Sequence, residues 1–301
     1  MLPYTEPNLT VELCVYIPLP LFFFFMRYFF ALLLPVYFLF AATPVTYAQQ
    51  APSPYHTRFA VDAPVTLGLG AVSGLGLYLV SQKDGLSQAQ LSALNKNNVP
   101  RFDRFVAGNY SKTAQTVGDF IVYPTLLIAP GLLALDSDVR GRYGQVLGLY
   151  LQTMLAQNAI FTMMVGNVTR YRPFLYGPEG GSSRNSHIST NSFYAGHTAN
   201  TAAATFFAAK VYHDFNPGSV AEPFVWTAAA VVPAVMAYTR IEAGKHFLSD
   251  NLVGYAVGTT VGIVVPQLHK TTERTGLSLA PMQGVNVNGY SYSGLLLTKR
   301  L

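Results

Sequence analysis

The sequence predicts an all-α protein, a six-helix bundle embedded in a membrane, and three observations predict it. Half of the 301 residues are hydrophobic and only 11% are charged, about half the charged share of a soluble domain. Beyond residue 60, six apolar segments of helical length follow one another. The side chains able to do chemistry cluster where those segments end.

The first segment, 63–80, carries no charge and is about long enough to cross a bilayer. Segment 117–135 holds a single acid, Asp119, with Pro124 and Pro130 as expected kinks. Segment 144–168 is uncharged and reads as one long helix. Segment 197–212 is alanine-rich, and 223–239 and 247–266 complete the set. Small residues recur within them, notably Gly68, Gly70, Gly74, Gly76 and Ala202 to Ala204. Small faces let helix backbones approach closely, which is how membrane bundles pack.

Around this bundle, assigned to 62–270, the chain divides simply. Residues 1–48 read as an N-terminal extension and a signal-like segment. From Met26 a single arginine precedes an apolar run that ends in small residues at Ala48, the pattern of a cleavable export signal. The competing reading is a retained anchor over 19–41. Residues 49–61 are expected as a linker, and 271–301 as a tail able to form a small hairpin. The connection 82–113, with Lys83, Lys96, Arg101, Asp103, Arg104 and Lys112, reads either as an amphipathic stretch on the membrane surface or as a solvated helical link.

Composition also excludes. The net charge of +5 is spread among apolar segments, so the basic stripe of a nucleic-acid binder is missing. Cys14 stands alone, which rules out an intramolecular disulfide, a cysteine-rich zinc site or a redox pair. His56, His213 and His269 have no partner at metal-ligand spacing, and neither a metal nor a cofactor is expected. Oligomeric state has no readable signal.

Three polar clusters remain. Thr169-Arg170-Tyr171-Arg172-Pro173-Phe174 closes the third segment. Ser192-Phe193-Tyr194-Ala195-Gly196-His197-Thr198 opens the fourth. Thr239 to Asp250 joins the fifth to the sixth. Arg172 and Arg240 offer planar forks of donors suited to phosphate or sulfate oxygens. His246 and Asp250 stand four residues apart, so on one helix they would share a face, the carboxylate holding one ring nitrogen and leaving the other free to attack. Gly196 lies at a helix start beside His197, where main-chain N–H groups favour an anion. Together these groups describe phosphoryl transfer without a metal.

The motifs resemble those of the type 2 phosphatidic acid phosphatase and vanadium haloperoxidase superfamily, over about residues 60 to 268. The superfamily's third motif, S-R-x-x-x-x-x-H-x-x-x-D, is T-R-I-E-A-G-K-H-F-L-S-D here, with Thr239 in place of serine. The resemblance implies His246 as nucleophile, Asp250 as its orienter, Arg172 and Arg240 as phosphate clamps, and His197 as the group that protonates the leaving alkoxide and then activates water. Two positions depart from the pattern. The lysine expected seven residues before Arg172 is Val165, and P-S-G-H reads Tyr194-Ala195-Gly196-His197. Each change removes a donor, and one such contact is commonly worth about 3 kcal/mol in the transition state. Arg170 or Lys245 could reach in to compensate.

The function expected is metal-independent hydrolysis of a phosphate monoester or diphosphate, of a lipid, through a phosphohistidine. The partners expected are a phosphorylated lipid and the membrane of a bacterial envelope, with a membrane-associated or periplasmic location after export. The alternatives are a periplasmic acid phosphatase of broad specificity, a weakened or non-catalytic scaffold of the same fold, and, most remotely, a vanadate-dependent haloperoxidase. The side of the membrane stays open: a cleaved signal and six spans put the site in the cytoplasm, while the family's lipid enzymes generally face outward.

Overall fold

The computed structural model describes residues 53–271, 277–285 and 288–299; the signal-like stretch lies outside them. Six long helices form the bundle: α1 (Phe59–Ser81), α2 (Lys112–Leu133), α3 (Tyr143–Asn167), α4 (Gly196–Phe215), α5 (Glu222–Glu242) and α6 (Leu248–Leu268). The expected six-helix, all-α architecture is therefore present, each helix covering one of the apolar segments. The chain ends in a two-stranded antiparallel hairpin, β1 (Leu277–Val285) with β2 (Ser291–Lys299).

Helix α4 is the hub. Its Ala199, Ala202, Ala203, Phe207 and Val211 are all buried, and it packs against α2, α3, α5 and α6. Its alanines make this possible on the α6 side, where Gly254, Gly258 and Gly262 repeat every four residues and so lie on one face. Gly258 and Gly262 abut α4 backbone and Gly254 abuts that of Ala195 just before it: a Cβ at Gly258 would stand 2.2 Å from the carbonyl oxygen of Ala199. The two helices thus pack backbone to backbone, as small-residue faces allow.

The outside of the bundle is as apolar as the inside. Leu67, Leu75, Phe120, Leu127, Val231, Tyr238 and Leu252 are all exposed, the pattern of helices whose solvent is lipid. Helices α1, α2, α5 and α6 are long and apolar enough to cross a membrane. At the end of α4 remote from its N-terminus, Asp214 accepts from Lys210, Lys270 and the Tyr55 hydroxyl, tying the residues before α1 to those after α6.

Between α1 and α2 the chain forms single turns of helix at Gln88–Ser92, Lys96–Asn98 and Arg104–Val106. Val99, Val106 and Ala107 from this stretch pack on Phe247. The connection is thus fastened to the same end of the bundle as the three polar clusters.

Candidate functional site

The three clusters converge on a cavity of about 550 Å³. Its polar wall holds Arg172, His197, Arg240, Lys245 and His246, and its apolar wall Val122, Tyr123, Leu126 and Phe161.

Local geometry explains how each group reaches it. The residue before a proline is held extended, and Arg172 (φ −74°, ψ 149°) obeys this before Pro173. Its N–H donates to the carbonyl of Ser189 and that of Arg170 to the carbonyl of Thr190, so the strand-like stretch is pinned to the loop ahead of α4. Arg240 belongs to the last turn of α5. Past it Gly244 turns the chain at φ +65°, where a Cβ would stand 1.8 Å from the carbonyl oxygen of Asn109. Only glycine fits both demands. The turn delivers Lys245 and His246 back towards Arg240, whose carbonyl accepts from the N–H of Lys245 at 3.0 Å. Helix α4 begins at Gly196 with no side-chain cap, so the N–H groups of its first turn stay open to an anion beside His197.

The expected His246–Asp250 contact is not made. Helix α6 starts only at Leu248, so His246 precedes the helix and the four-residue rule does not apply. Its Nδ1 lies 2.6 Å from the main-chain oxygen of Ser192. A carbonyl can only accept, so Nδ1 carries the proton. Burial, and then Arg172 and Arg240, hold this imidazole well below the ordinary histidine range. It is therefore neutral, and Nε2 carries the free lone pair. Asp250 acts one step further out, accepting from Ser192 Oγ at 2.7 Å and from the N–H of Phe247 at 2.8 Å.

Arg170 does not reach the cavity either. It pairs with Asp250 and, at 2.7 Å, with Asp103, and so braces the site from behind. Lys245 does line the cavity, over the ring of Phe174. Neither Val165 nor Ala195 lines it; Val165 is buried in α3, where its carbonyl accepts from Lys83.

Two acids carry parts of the arrangement that the motifs do not contain. Asp119, the lone acid of its apolar segment, faces the cavity, and its Oδ1 lies 3.2 Å from His197 Nε2 and 3.3 Å from Arg240 Nη1. Its signal in the sequence was a lone charge inside an otherwise apolar helix. Asp103 is fully buried and accepts from Arg170, Ser249 Oγ and the Ser249 N–H. The loop before α4 adds Ser183, Ser186 and Ile188 to the wall. His187 is exposed, and Arg184 donates to the carbonyl of Leu175.

Electrostatically the cavity sets three cations, Arg172, Arg240 and Lys245, against one carboxylate, Asp119. Burial and the neighbouring Arg240 push Arg172 down to about 10. Burial, Arg172 and Arg240 push Lys245 down to about 8. Arg172 Nε and Arg240 Nε are buried without a hydrogen-bond partner. Buried donors are almost always satisfied, and a tetrahedral oxyanion would satisfy both guanidinium groups.

Residues 146–274, which hold most of α3, all of α4 to α6 and all three clusters, match the PAP2 superfamily. The lipid A 4'-phosphatase of Porphyromonas gingivalis is 30% identical over 99 residues, 33% of this chain and 35% of that protein. The chain thus spans about a third of the length of that curated relative. A PAP2 type phosphatidylglycerolphosphate phosphatase from Bacillus subtilis, a solved transmembrane structure, shares 16% identity over 68% of this chain and 93% of that one, with a TM-score of 0.39.

Proposed function

We propose that this chain is a membrane-embedded lipid phosphatase of a bacterial envelope, hydrolysing a phosphate monoester or diphosphate through a phosphohistidine and without a metal. One observation carries the reading: two guanidinium groups whose Nε atoms are buried and unpartnered lie beside a neutral histidine whose Nε2 is free. Apolar residues of α2 and α3 line the same cavity, which suits a substrate with a hydrocarbon part. The name of the Porphyromonas gingivalis relative, a lipid A 4'-phosphatase, agrees with a lipid substrate.

The chemistry follows from these groups. Arg172, Arg240 and Lys245 neutralise the phosphoryl oxygens, with the open N–H groups of Gly196 and its neighbours. Nε2 of His246 attacks phosphorus, forming an N–P bond as the P–O bond to the lipid breaks. The leaving alkoxide, or the phosphate of a diphosphate, takes a proton from His197. Water then attacks the phosphohistidine and gives its proton to His197. The N–P bond breaks, and inorganic phosphate and neutral His246 are regenerated. Stabilisation by fixed cations and amides is the larger part of such transfers.

The test is phosphate release by the detergent-purified chain in excess EDTA, from phosphatidate, a polyprenyl diphosphate, lipid A and p-nitrophenyl phosphate, beside a His246→Ala variant. Release that persists in EDTA and disappears in the variant is expected. A preference for p-nitrophenyl phosphate over every lipid would favour a soluble-ester phosphatase, and no release from any substrate would leave a non-catalytic scaffold.

A further inference from the structure

The connection between α1 and α2 carries a surface that the phosphatase reading does not use. In Pro100-Arg101-Phe102-Asp103-Arg104-Phe105-Val106, buried and exposed residues alternate in an unusual way. Asp103 and Val106 are fully buried, while Phe102 and Phe105 are 60% and 63% exposed. Neither phenylalanine belongs to a candidate span, so burial within a bilayer core does not account for them. Residues 96–112 also hold four basic side chains, Lys96, Arg101, Arg104 and Lys112, against one acid, and that acid is the buried Asp103. Arg104 is occupied with the carbonyls of Asn97 and Val99; Lys96, Arg101 and Lys112 are exposed.

We propose that residues 96–112 form a docking surface for an anionic lipid headgroup layer, with Phe102 and Phe105 inserted at the interface and Lys96, Arg101 and Lys112 against the lipid charges. Aromatic rings favour the level of the headgroups, and basic side chains beside them are drawn to anionic lipid. The stretch leads directly into α2 at Lys112, one of the four helices able to cross the membrane, so it lies where that surface begins. It is also bound rigidly to the cavity end: Asp103 holds Arg170 and the first turn of α6, and Gly108 donates to the carbonyl of Pro173 at 2.8 Å. Docking would therefore hold the mouth of the cavity at the layer that contains the phosphorylated headgroups. This use of the surface rests on the phosphatase reading; the insertion itself does not.

Two measurements on the full chain in vesicles test it. In a Trp226→Phe background, Phe105→Trp supplies the reporter, in phosphatidylglycerol vesicles carrying brominated chains. Quenching by the bromolipid, weaker in vesicles of phosphatidylcholine alone, is expected. Quenching by aqueous iodide with none from bromolipid would overturn the proposal, as would a reporter shielded from both, which would indicate a protein partner on this face. For the second, the Phe102→Ser/Phe105→Ser variant should raise KM for a phosphorylated lipid in phosphatidylglycerol vesicles about fivefold or more and leave p-nitrophenyl phosphate hydrolysis unchanged. An equal loss on both substrates, or no change on either, would overturn it. Wild-type protein inactive on every substrate would instead sink the phosphatase reading, with the quenching result still standing.

Discussion

His246 Nδ1 lies 2.6 Å from the carbonyl oxygen of Ser192, and Oγ of the same serine donates to Asp250 at 2.7 Å. The imidazole is therefore oriented by main chain, and the carboxylate orients the residue that supplies that main chain. A hold of this kind survives loss of a side chain better than a direct His–Asp pair. Asp250→Asn should lower kcat by roughly 10- to 100-fold with little change in KM, because the tautomer is still set by Ser192. Ser192→Ala should cost less, within about tenfold, and His246→Ala should abolish turnover. Steady-state kinetics on one substrate ranks the three. A Ser192→Ala loss as large as that of His246→Ala would contradict the main-chain hold.

Lys245 offers a test by pH. Burial, then Arg172 and Arg240, hold it at about 8, whereas an unfolded lysine titrates near 10.4. Between those values the unfolded chain binds a proton that the folded chain does not, so this lysine's contribution to stability rises with pH across the window. An anion in the cavity reverses the preference, since it favours the charged amine. Phosphate should therefore bind with proton uptake, and its affinity should weaken as pH climbs through about 8. Competitive inhibition by phosphate between pH 6.5 and 9.5 measures this. Lys245→Met should bind phosphate more weakly at the acid end and lose the step near 8.

Much of this arrangement was legible in the sequence, and its limits are physical. Six apolar segments gave six helices because each is long and bounded by polar clusters, and the clusters themselves named Arg172, His197, Arg240 and His246. The His246–Asp250 contact failed because spacing becomes geometry only inside a helix, and α6 begins at Leu248, after the histidine. That Arg170 turns away from the cavity is not legible, because its partner Asp103 is 67 residues away in a stretch of single turns with no periodicity to read. Asp119 was visible as a lone acid in an apolar helix, but only the crossing of α2 over α4 and α5 reveals that His197 and Arg240 share it.

The contact between α4 and α6 makes a stability prediction independent of catalysis. At Gly258 an added Cβ would meet the carbonyl oxygen of Ala199 at 2.2 Å, main chain that has no rotamer to yield. Gly258→Ala should cost about 1–3 kcal/mol or more through forced helix separation. Gly68→Ala, where nothing lies within 4 Å of the new Cβ, should be neutral or slightly stabilising. Thermal unfolding in the same detergent compares them, and equal midpoints would argue against backbone-to-backbone packing.

Asp119 poses the sharpest question, because it puts a carboxylate against an anion site. One oxygen serves both His197 at 3.2 Å and Arg240 at 3.3 Å. It therefore supports the charged form of His197, the proposed general acid, while opposing the phosphate that Arg240 would hold. The two roles predict opposite changes on removing the charge. Asp119→Asn should bind inorganic phosphate more tightly, because a repulsive neighbour is gone. It should also turn over more slowly, by about tenfold, because His197 loses the partner that favours its proton and fixes its ring. Measuring kcat together with the phosphate inhibition constant separates these effects. Weaker phosphate binding in the variant would mean that Asp119 acts mainly by holding Arg240 in place. An unchanged kcat would remove it from the proton-transfer step.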